Sequence, residues 1–200
     1  MDSASCNSWW VSGREIVIAD YDSEWPARAD ALIGALAVAL GPTAQRIEHI
    51  GSTSIPGMAA KDVFDIQVSV LDLDAGVAAF DAPLRALAFE RRPYDHDHVP
   101  AGCGDHPDVW VKRFWSRPDH PDGAVNLHVR RVGSPNERLA LLFRDWFRAH
   151  PSAVTPYAAF KRTLASAVSD IGEYADVKDP VVDVIITIAE TWAAHRSWTP

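Results

Sequence analysis

The chain has 200 residues, of which 48% are hydrophobic and 23% charged, a balance typical of a globular protein rather than a disordered one. Its 27 acidic and 19 basic residues give a net charge of −8, which disfavours bulk nucleic acid as a partner. Two cysteines are too few for a disulfide framework, no apolar run is long enough to cross a membrane, and no signal-peptide pattern opens the chain, so we expect a cytoplasmic protein with no membrane partner.

The first predicted domain covers residues 14–133 and follows a lead-in over residues 1–13. Its predicted elements in chain order are a strand at 16–19, a helix capped by Asp22 or Ser23 and ended by Gly41-Pro42, strands at 46–50 and 63–70, a helix at 74–89, and strands at 109–115 and 125–131. Residues 91–107 are rich in Pro, Gly, Asp and His and are predicted to form a loop.

The last third of the chain, residues 134–200, is predicted to be helical. Three helix starts are indicated by a capping residue followed by proline, at Ser134-Pro135, Thr155-Pro156 and Asp179-Pro180. Apolar residues recur at helical spacing after each of them. The expected fold class is therefore α+β: a mixed β-sheet backed by helices, with a C-terminal helical bundle packed as one unit with the sheet domain.

Small and hydroxylated residues follow the predicted strand at 46–50. Such a run can turn backbone N–H groups and hydroxyls toward an anion. Its members are Gly51, Ser52, Thr53 and Ser54. Lys61 supplies a positive charge nearby, and Asp65 lies on the polar face of the next strand, where a carboxylate can bind Mg²⁺. The pattern predicts a phosphate site beside a metal site; the alternative is a plain turn with a solvated Asp65.

Two predicted strands carry matching rows of polar side chains that alternate with apolar ones. The polar residues are Asp65, Gln67 and Ser69 on the first strand and Asn126, His128 and Arg130 on the second. If both strands belong to one sheet with its apolar face on the helices, these six side chains line one concave surface. The alternative is a sheet surface that only faces water.

The stretch from Ile47 to Val70 resembles the signature of the GrpB family, whose proteins are assigned to the nucleotidyltransferase superfamily. The matching residues are Glu48-His49-Ile50-Gly51-Ser52-Thr53, Pro56-Gly57, Ala60-Lys61 and Asp65-Ile66, followed by Lys112-Arg113-Phe114, Asn126-Leu127-His128-Val129-Arg130, Phe143-Arg144-Asp145, Arg148, Tyr157 and Lys161. The resemblance covers about residues 15–195. It implies a nucleotidyltransferase-like fold, ATP or another nucleoside triphosphate as substrate, and Mg²⁺ or Mn²⁺ as cofactor.

The resemblance also implies a metal site, from which this chain departs. The superfamily holds its metal with an Asp-x-Asp pair and a third carboxylate on a later strand. Here the pair reads Asp65-Ile66-Gln67, and His128 stands where the third acid would be, so Asp65 and His128 are the expected ligands. One carboxylate, one amide and one imidazole are a poor set for two Mg²⁺ ions. Asp62 replaces the usual proline and adds a carboxylate beside Lys61.

Further candidate residues have both a functional and a structural interpretation. Lys61, His49 and His128 join Asp65 as catalytic candidates, and His49 is interpreted as a general base, a metal ligand or a hydrogen-bonded strand residue. Gln67 and Arg130 are expected to bind a nucleotide. The remaining candidates are expected either to bind the same nucleotide or to form salt bridges and pack in the core: Arg144, Arg148, Tyr157 and Lys161.

The His- and Asp-rich run at 95–106 invites a zinc interpretation, but it matches no known ligand spacing, so we expect it to be solvated or to act in substrate choice.

Several functions fit these residues. The first is an enzyme that transfers a nucleotidyl group from a nucleoside triphosphate to a small-molecule acceptor, or activates the acceptor in a ligase-type reaction. The second is a non-catalytic module that binds a nucleotide or phosphometabolite. The third is a metal-dependent hydrolase that uses His49, His128 and the 96–106 loop.

Overall fold

The structure, a computed structural model, describes residues 16–200 and contains one five-stranded sheet with helices on both faces. The strands are β1 (Arg46–Ile50), β2 (Val63–Val70), β3 (Glu90–Arg92), β4 (Lys112–Arg117) and β5 (Ala124–Arg131). The helices are α1 (Trp25–Leu40), α2 (Leu73–Ala86), α3 (Pro135–Ala149), α4 (Val154–Ala167) and α5 (Ile171–Arg196). The lead-in predicted at 1–13 lies outside the described residues.

The sheet is mixed, with strand order β1-β2-β5-β4-β3. β2 and β5 are parallel, and the other neighbouring pairs are antiparallel. The apolar face packs on α1 and α2, because alternate residues of β2 and β5 are hydrophobic and fully buried there. The α+β class, with a mixed sheet backed by helices, is confirmed.

The polar face of the sheet is covered in part by α3, which also packs along α5. Ile55, Met58 and Ala59, from the segment between β1 and β2, are buried in a second hydrophobic cluster with residues of α3, α4 and α5. The segment that carries the predicted phosphate site is therefore anchored on the C-terminal helices. Within residues 16–200, no helix has both the length and the apolar composition needed to span a membrane.

Several predicted element boundaries are wrong, three of them at helix starts or strands that change the description of the fold. The strand at 16–19 is a single bridge between Ala19 and Ala60. The helix start at Asp179-Pro180 lies inside α5, which begins at Ile171 because the Asp170 side chain accepts hydrogen bonds from the first amides of the helix. The N-cap position of α1 is Glu24, and the carboxylate of Asp22 instead accepts from the Glu24 amide.

Candidate functional site

The register of β2 and β5 places the two predicted polar rows side by side. Asp65 lies opposite Asn126, Gln67 opposite His128, and Ser69 opposite Arg130. The six side chains therefore share one face of the sheet, as the alternation predicts. They do not form one exposed surface, because α3 covers the half that contains Gln67, Ser69 and Arg130.

The covered half is a closed hydrogen-bond network around two buried carboxylates. Glu137 of α3, 2% exposed, accepts from Arg46, Ser69 and the Gly133 amide. Asp97 accepts from Arg130 at 2.8 and 3.0 Å, from Lys112 at 2.7 Å and from Asn136 at 2.9 Å. Burial raises the pKa of Asp97, but the charges of Arg130 and Lys112 outweigh it and hold the pKa well below its usual range.

Gln67 and Arg130, expected to grip a nucleotide, belong to this network. The Arg130 guanidinium donates to Gln67 Oε1 at 2.6 Å, and Gln67 Nε2 donates to the Glu137 carbonyl at 3.2 Å. Gln67 is fully buried and Arg130 is 6% exposed. The expectation that their polar groups face a ligand is therefore wrong, because these side chains stabilise the packing of α3 on the sheet.

The open half begins at Asp65, whose side chain is 32% exposed. Gly51 adopts a φ of +68° directly above it, and a Cβ on this residue would overlap the Asp65 carboxylate. Asn126 Nδ2 donates to Asp65 Oδ1 at 2.9 Å, and His128 Nε2 lies 3.7 Å from the same oxygen. Burial raises the pKa of Asp65, but interactions with His128 and Asn126 outweigh it and lower the pKa to about 2, so the carboxylate is ionised at neutral pH.

His128 is oriented by the charges around it. Its Nδ1 lies 3.4 Å from Arg130 Nη2, and since a guanidinium only donates, Nδ1 is the acceptor and Nε2 carries the proton. Burial and the charges of Arg130 and Lys112 lower the pKa of His128 to about 4, so the ring is neutral at pH 7. In this arrangement Nε2 offers Asp65 a proton instead of offering a metal a lone pair, which departs from the predicted ligand role.

Two lysines lie near Ser52 and Asp65: Lys161 is buried and Lys61 is half-buried. Lys161 of α4 is 3% exposed, and its Nζ donates to Ser52 Oγ at 2.9 Å. Burial lowers the pKa of Lys161 to about 7 and that of Lys61 to about 8, and in both cases the charge of Lys178 lowers it further. Among residues 16–200, no carboxylate lies within 4 Å of either ammonium group. We call Ser52, Lys61, Asp65 and Lys161 the lysine–aspartate site.

The other predicted anion donors support the loop. Ser54 Oγ donates to the Gly51 carbonyl at 2.6 Å, and Thr53 Oγ1 donates to the Val63 carbonyl at 3.3 Å. Arg148 donates to the Ser54 carbonyl at 2.9 and 3.1 Å. Arg144 bonds Glu48 at 2.6 Å and the His49 carbonyl at 3.1 Å. These side chains hold the Gly51–Ser54 turn in place, and Ser52 is the member of the turn whose hydroxyl faces a lysine.

His49 and Tyr157 make no hydrogen bond with Asp65. His49 pairs with Ile66, so its ring lies on the apolar face, packs on Phe64 and bonds Thr53 Oγ1 at 2.9 Å. Burial lowers the pKa of His49 to about 4, which keeps the ring neutral. Tyr157 is 6% exposed within the second hydrophobic cluster, and burial raises the pKa of its hydroxyl. Both side chains have structural surroundings, and a direct role for them stays a prediction.

The side-chain oxygens of Asp65 and Asn126 could serve as ligands for one divalent cation. The carboxylate is ionised, and Asn126 Oδ1 is a buried oxygen with no hydrogen-bond partner. No three His, Cys, Asp or Glu side chains are grouped to hold a metal anywhere in residues 16–200. These residues fit a single Mg²⁺ or Mn²⁺ whose remaining ligands are phosphate oxygens and water, and they do not fit a two-metal site.

Most of the 95–106 loop is exposed, as expected, and two of its side chains anchor it to the rest of the fold. Asp97 is buried in the network under α3, and His98 lies 3.0 Å from Asp183 of α5. Sequence reasoning missed Asp97 because His and Asp residues in a loop usually face water. It also missed Asn126 as the partner of Asp65 and Lys178 as a neighbour of the lysine pair.

An open groove of about 490 Å³ lies between α3 and α5, where Trp146, His150 and Trp192 line it. This groove contains none of the predicted site residues.

Comparison with known proteins places these features in a family. A family model described as GrpB protein matches residues 15–187. The UPF0157 protein BH1888 of Halalkalibacterium halodurans is 33% identical over 172 residues, which cover 86% of this chain and 80% of that protein. The crystal structure of the conserved protein GrpB from Enterococcus faecalis superposes with a TM-score of 0.70 and 25% identity, covering 88% of this chain and 99% of that one.

Longer relatives also match. A protein named dephospho-CoA kinase from Mycolicibacterium paratuberculosis is 36% identical over 200 residues, covering 90% of this chain and 47% of that protein. The chain therefore spans about half the length of these curated relatives. Part of the fold, 66% of this chain, superposes on Cid1 in complex with its short product ApU at a TM-score of 0.43 and 16% identity, which is too low to support a conclusion about activity.

Proposed function

The chain belongs to the GrpB family, and from that premise we propose that it binds a nucleoside triphosphate at the lysine–aspartate site and transfers a nucleotidyl group to a small-molecule acceptor. The observation that carries the proposal is Lys161. It is nearly fully buried, is paired with a hydroxyl instead of a carboxylate, and lies beside a second lysine. Burying the Lys161 ammonium group next to a second positive charge, without a counter-charge, is costly, and a bound phosphate chain would reduce that cost.

Each residue has a distinct part in the proposed reaction. Lys61, Lys161 and the Ser52 hydroxyl would bind the phosphates and stabilise the charge that develops on the departing pyrophosphate. Asp65 and Asn126 would hold a Mg²⁺ or Mn²⁺ against the phosphates, and a bound metal supplies Lewis-acid polarisation of the phosphorus centre. The acceptor oxygen would bond to the α-phosphorus as the bond to pyrophosphate breaks. With a pKa of about 2, Asp65 is a weak base, so the acceptor's proton passes to water.

We do not propose a kinase activity for this chain. The name dephospho-CoA kinase belongs to relatives of which the chain spans about half. The phosphate-binding loop of P-loop kinases contains a Gly-Lys pair, and the 200 residues contain no such pair.

A second candidate, a non-catalytic phosphate-binding module, is favoured by one observation. Gln67, which stands at the position of the second acid of the Asp-x-Asp pattern, is fully buried and bonded to Arg130. It therefore adds nothing to a metal at Asp65. This module would use the same lysines and would bind the triphosphate without consuming it.

The test is thermal unfolding of the purified protein with a panel of nucleoside tri-, di- and monophosphates, with and without Mg²⁺ or Mn²⁺. A ligand that binds only the folded state raises Tm by mass action. We expect a metal-dependent rise with a triphosphate that is lost in Asp65→Asn and kept in the matched control Asp105→Asn, an exposed aspartate of the 95–106 loop. No rise with any triphosphate would overturn the proposal. Pyrophosphate release with an acceptor library separates the enzyme from the binding module.

A further inference from the structure

The first turns of α5 form a third side of the lysine–aspartate site. Tyr174 is 3% exposed, and its ring centroid lies 5.2 Å from Lys61 Nζ. Lys178 follows one turn later, on the same face of the helix.

Three of the four lysines of the chain influence one another electrostatically, although they come from separate parts of it: Lys61 precedes β2, Lys161 is in α4, and Lys178 is in α5. Among the described residues, none of the three has a carboxylate within 4 Å. The fourth, Lys112, bonds Asp97 at 2.7 Å.

The electrostatic effect of Lys178 supports this placement. Its charge is the strongest charged-group influence on both other lysines, and it lowers the pKa of Lys61 and of Lys161. Like charges that face each other without a partner destabilise the empty site, and a polyanion relieves that repulsion.

A charge inventory indicates the size of the anion. Three ammonium groups against the carboxylates of Asp65 and Asp179, the second of which interacts with Lys178, leave one positive charge, and one divalent cation would bring the total to three. A phosphate monoester carries only about −1.5 to −2 at neutral pH. A triphosphate chain matches the site more closely when all three lysines are charged, whereas a monophosphate leaves about one positive charge unbalanced.

We propose that Lys178, placed by the Tyr174 turn of α5, holds the terminal phosphates of the ligand and makes the site selective for polyphosphate chains over phosphate monoesters. This inference rests on the proposed function, and it adds that the site prefers triphosphates over ligands with a single phosphate. Lys178 is a specificity determinant here and is separate from the residues beside the reacting phosphorus.

The experiment measures the affinity of the intact chain for inorganic tripolyphosphate, pyrophosphate and phosphate by calorimetry, with Mg²⁺ at constant ionic strength. We expect the wild type to bind tripolyphosphate at least about 100-fold more tightly than phosphate. Lys178→Gln should reduce that ratio by about tenfold, mainly through weaker tripolyphosphate binding, because one charge contact to the terminal phosphates is lost. Lys178→Arg should keep the preference, and Arg85→Gln, which removes an exposed charge on α2, should change nothing.

The outcomes separate the two proposals. If the wild type binds tripolyphosphate but Lys178→Gln leaves the ratio unchanged, or weakens all three anions equally, the role of Lys178 is overturned and the proposed function stands. If the wild type binds none of the anions, both are overturned. Unchanged far-UV circular dichroism of Lys178→Gln shows that any loss arises at the site and not from unfolding.

Discussion

The polar face of the sheet has two halves with the same residue pattern and different electrostatics. Under α3, the carboxylates of Asp97 and Glu137 are surrounded by donors that match them. At the open end, Asp65 and Lys161 have only neutral partners: an amide and an imidazole for Asp65, and a hydroxyl for Lys161. The first half satisfies its charges within the chain, and the second leaves charges for a ligand. Alternating polar residues on a strand therefore predict only a polar environment. Charges that are paired within the chain indicate a structural role, and charges left without a charged partner indicate a binding role.

The largest expected effect is in the covered half. Asp97→Ala leaves Arg130 and Lys112 buried without their carboxylate, so the free energy of unfolding should fall by about 3–5 kcal/mol. Urea denaturation measures it, with Asp105→Asn in the same loop as a control that should change stability by less than about 0.5 kcal/mol. A loss below about 1 kcal/mol in Asp97→Ala would mean that this network is not a closed structural unit.

Lys161→Met should have the opposite effect on stability. The pKa of Lys161 is lower in the folded protein than in the unfolded chain, so at pH values between the two the unfolded chain binds more protons and the fold is destabilised. Removing this lysine should therefore raise the free energy of unfolding at pH 7 by about 1–3 kcal/mol. The same variant should lose the triphosphate-induced rise in Tm. A stability loss combined with intact ligand binding would place Lys161 with the structural residues.

The open half should also respond to pH. Lys161 and Lys61, with pKa values of about 7 and about 8, are protonated in mildly acidic solution and lose their charge as the pH rises. Triphosphate affinity should therefore be greatest below about pH 7. It should fall by up to about tenfold per pH unit between about pH 7 and 8, and by up to about 100-fold per pH unit above about pH 8, where both lysines must gain a proton to bind. Calorimetry across this range checks it, and Asp65, Lys178 and Arg162 are the neighbouring charges that modulate it. Affinity that is constant to pH 9 would contradict the role of the lysines.

The smallest effect should come from His49. Its ring is on the apolar face and is neutral at pH 7, so His49→Gln should change ligand affinity by less than about twofold while costing about 1 kcal/mol of stability through its bond to Thr53. Parallel thermal and calorimetric titrations separate the two quantities. A large loss of affinity with unchanged stability would restore the catalytic interpretation of His49.

The strands β1, β2 and β5 and the clustering of Gly51, Ser52, Lys61 and Asp65 could be predicted from sequence because they depend on local alternation and on one short turn. The limits of the site could not. Gln67 and Asp65 are two residues apart on one strand, yet α3 buries the first and leaves the second open. That difference depends on how a helix some 70 residues later crosses the sheet, and no local pattern encodes it.

Lys178 gives the same lesson for the helical part. Its contribution depends on α5 beginning at Ile171, and the proline at 180 falsely indicated a later start. The capping aspartate at 170 decides the boundary, because proline is tolerated inside a helix whose packing is extensive.

The most direct test of the central claim is a crystal structure of the protein with a non-hydrolysable nucleoside triphosphate and Mn²⁺, with the metal located by anomalous scattering. We expect phosphate oxygens within hydrogen-bond distance of Lys161 Nζ and Ser52 Oγ, and a manganese peak beside the Asp65 carboxylate. A nucleotide bound elsewhere, such as in the groove between α3 and α5, or crystals that remain free of nucleotide at saturating concentration, would contradict it.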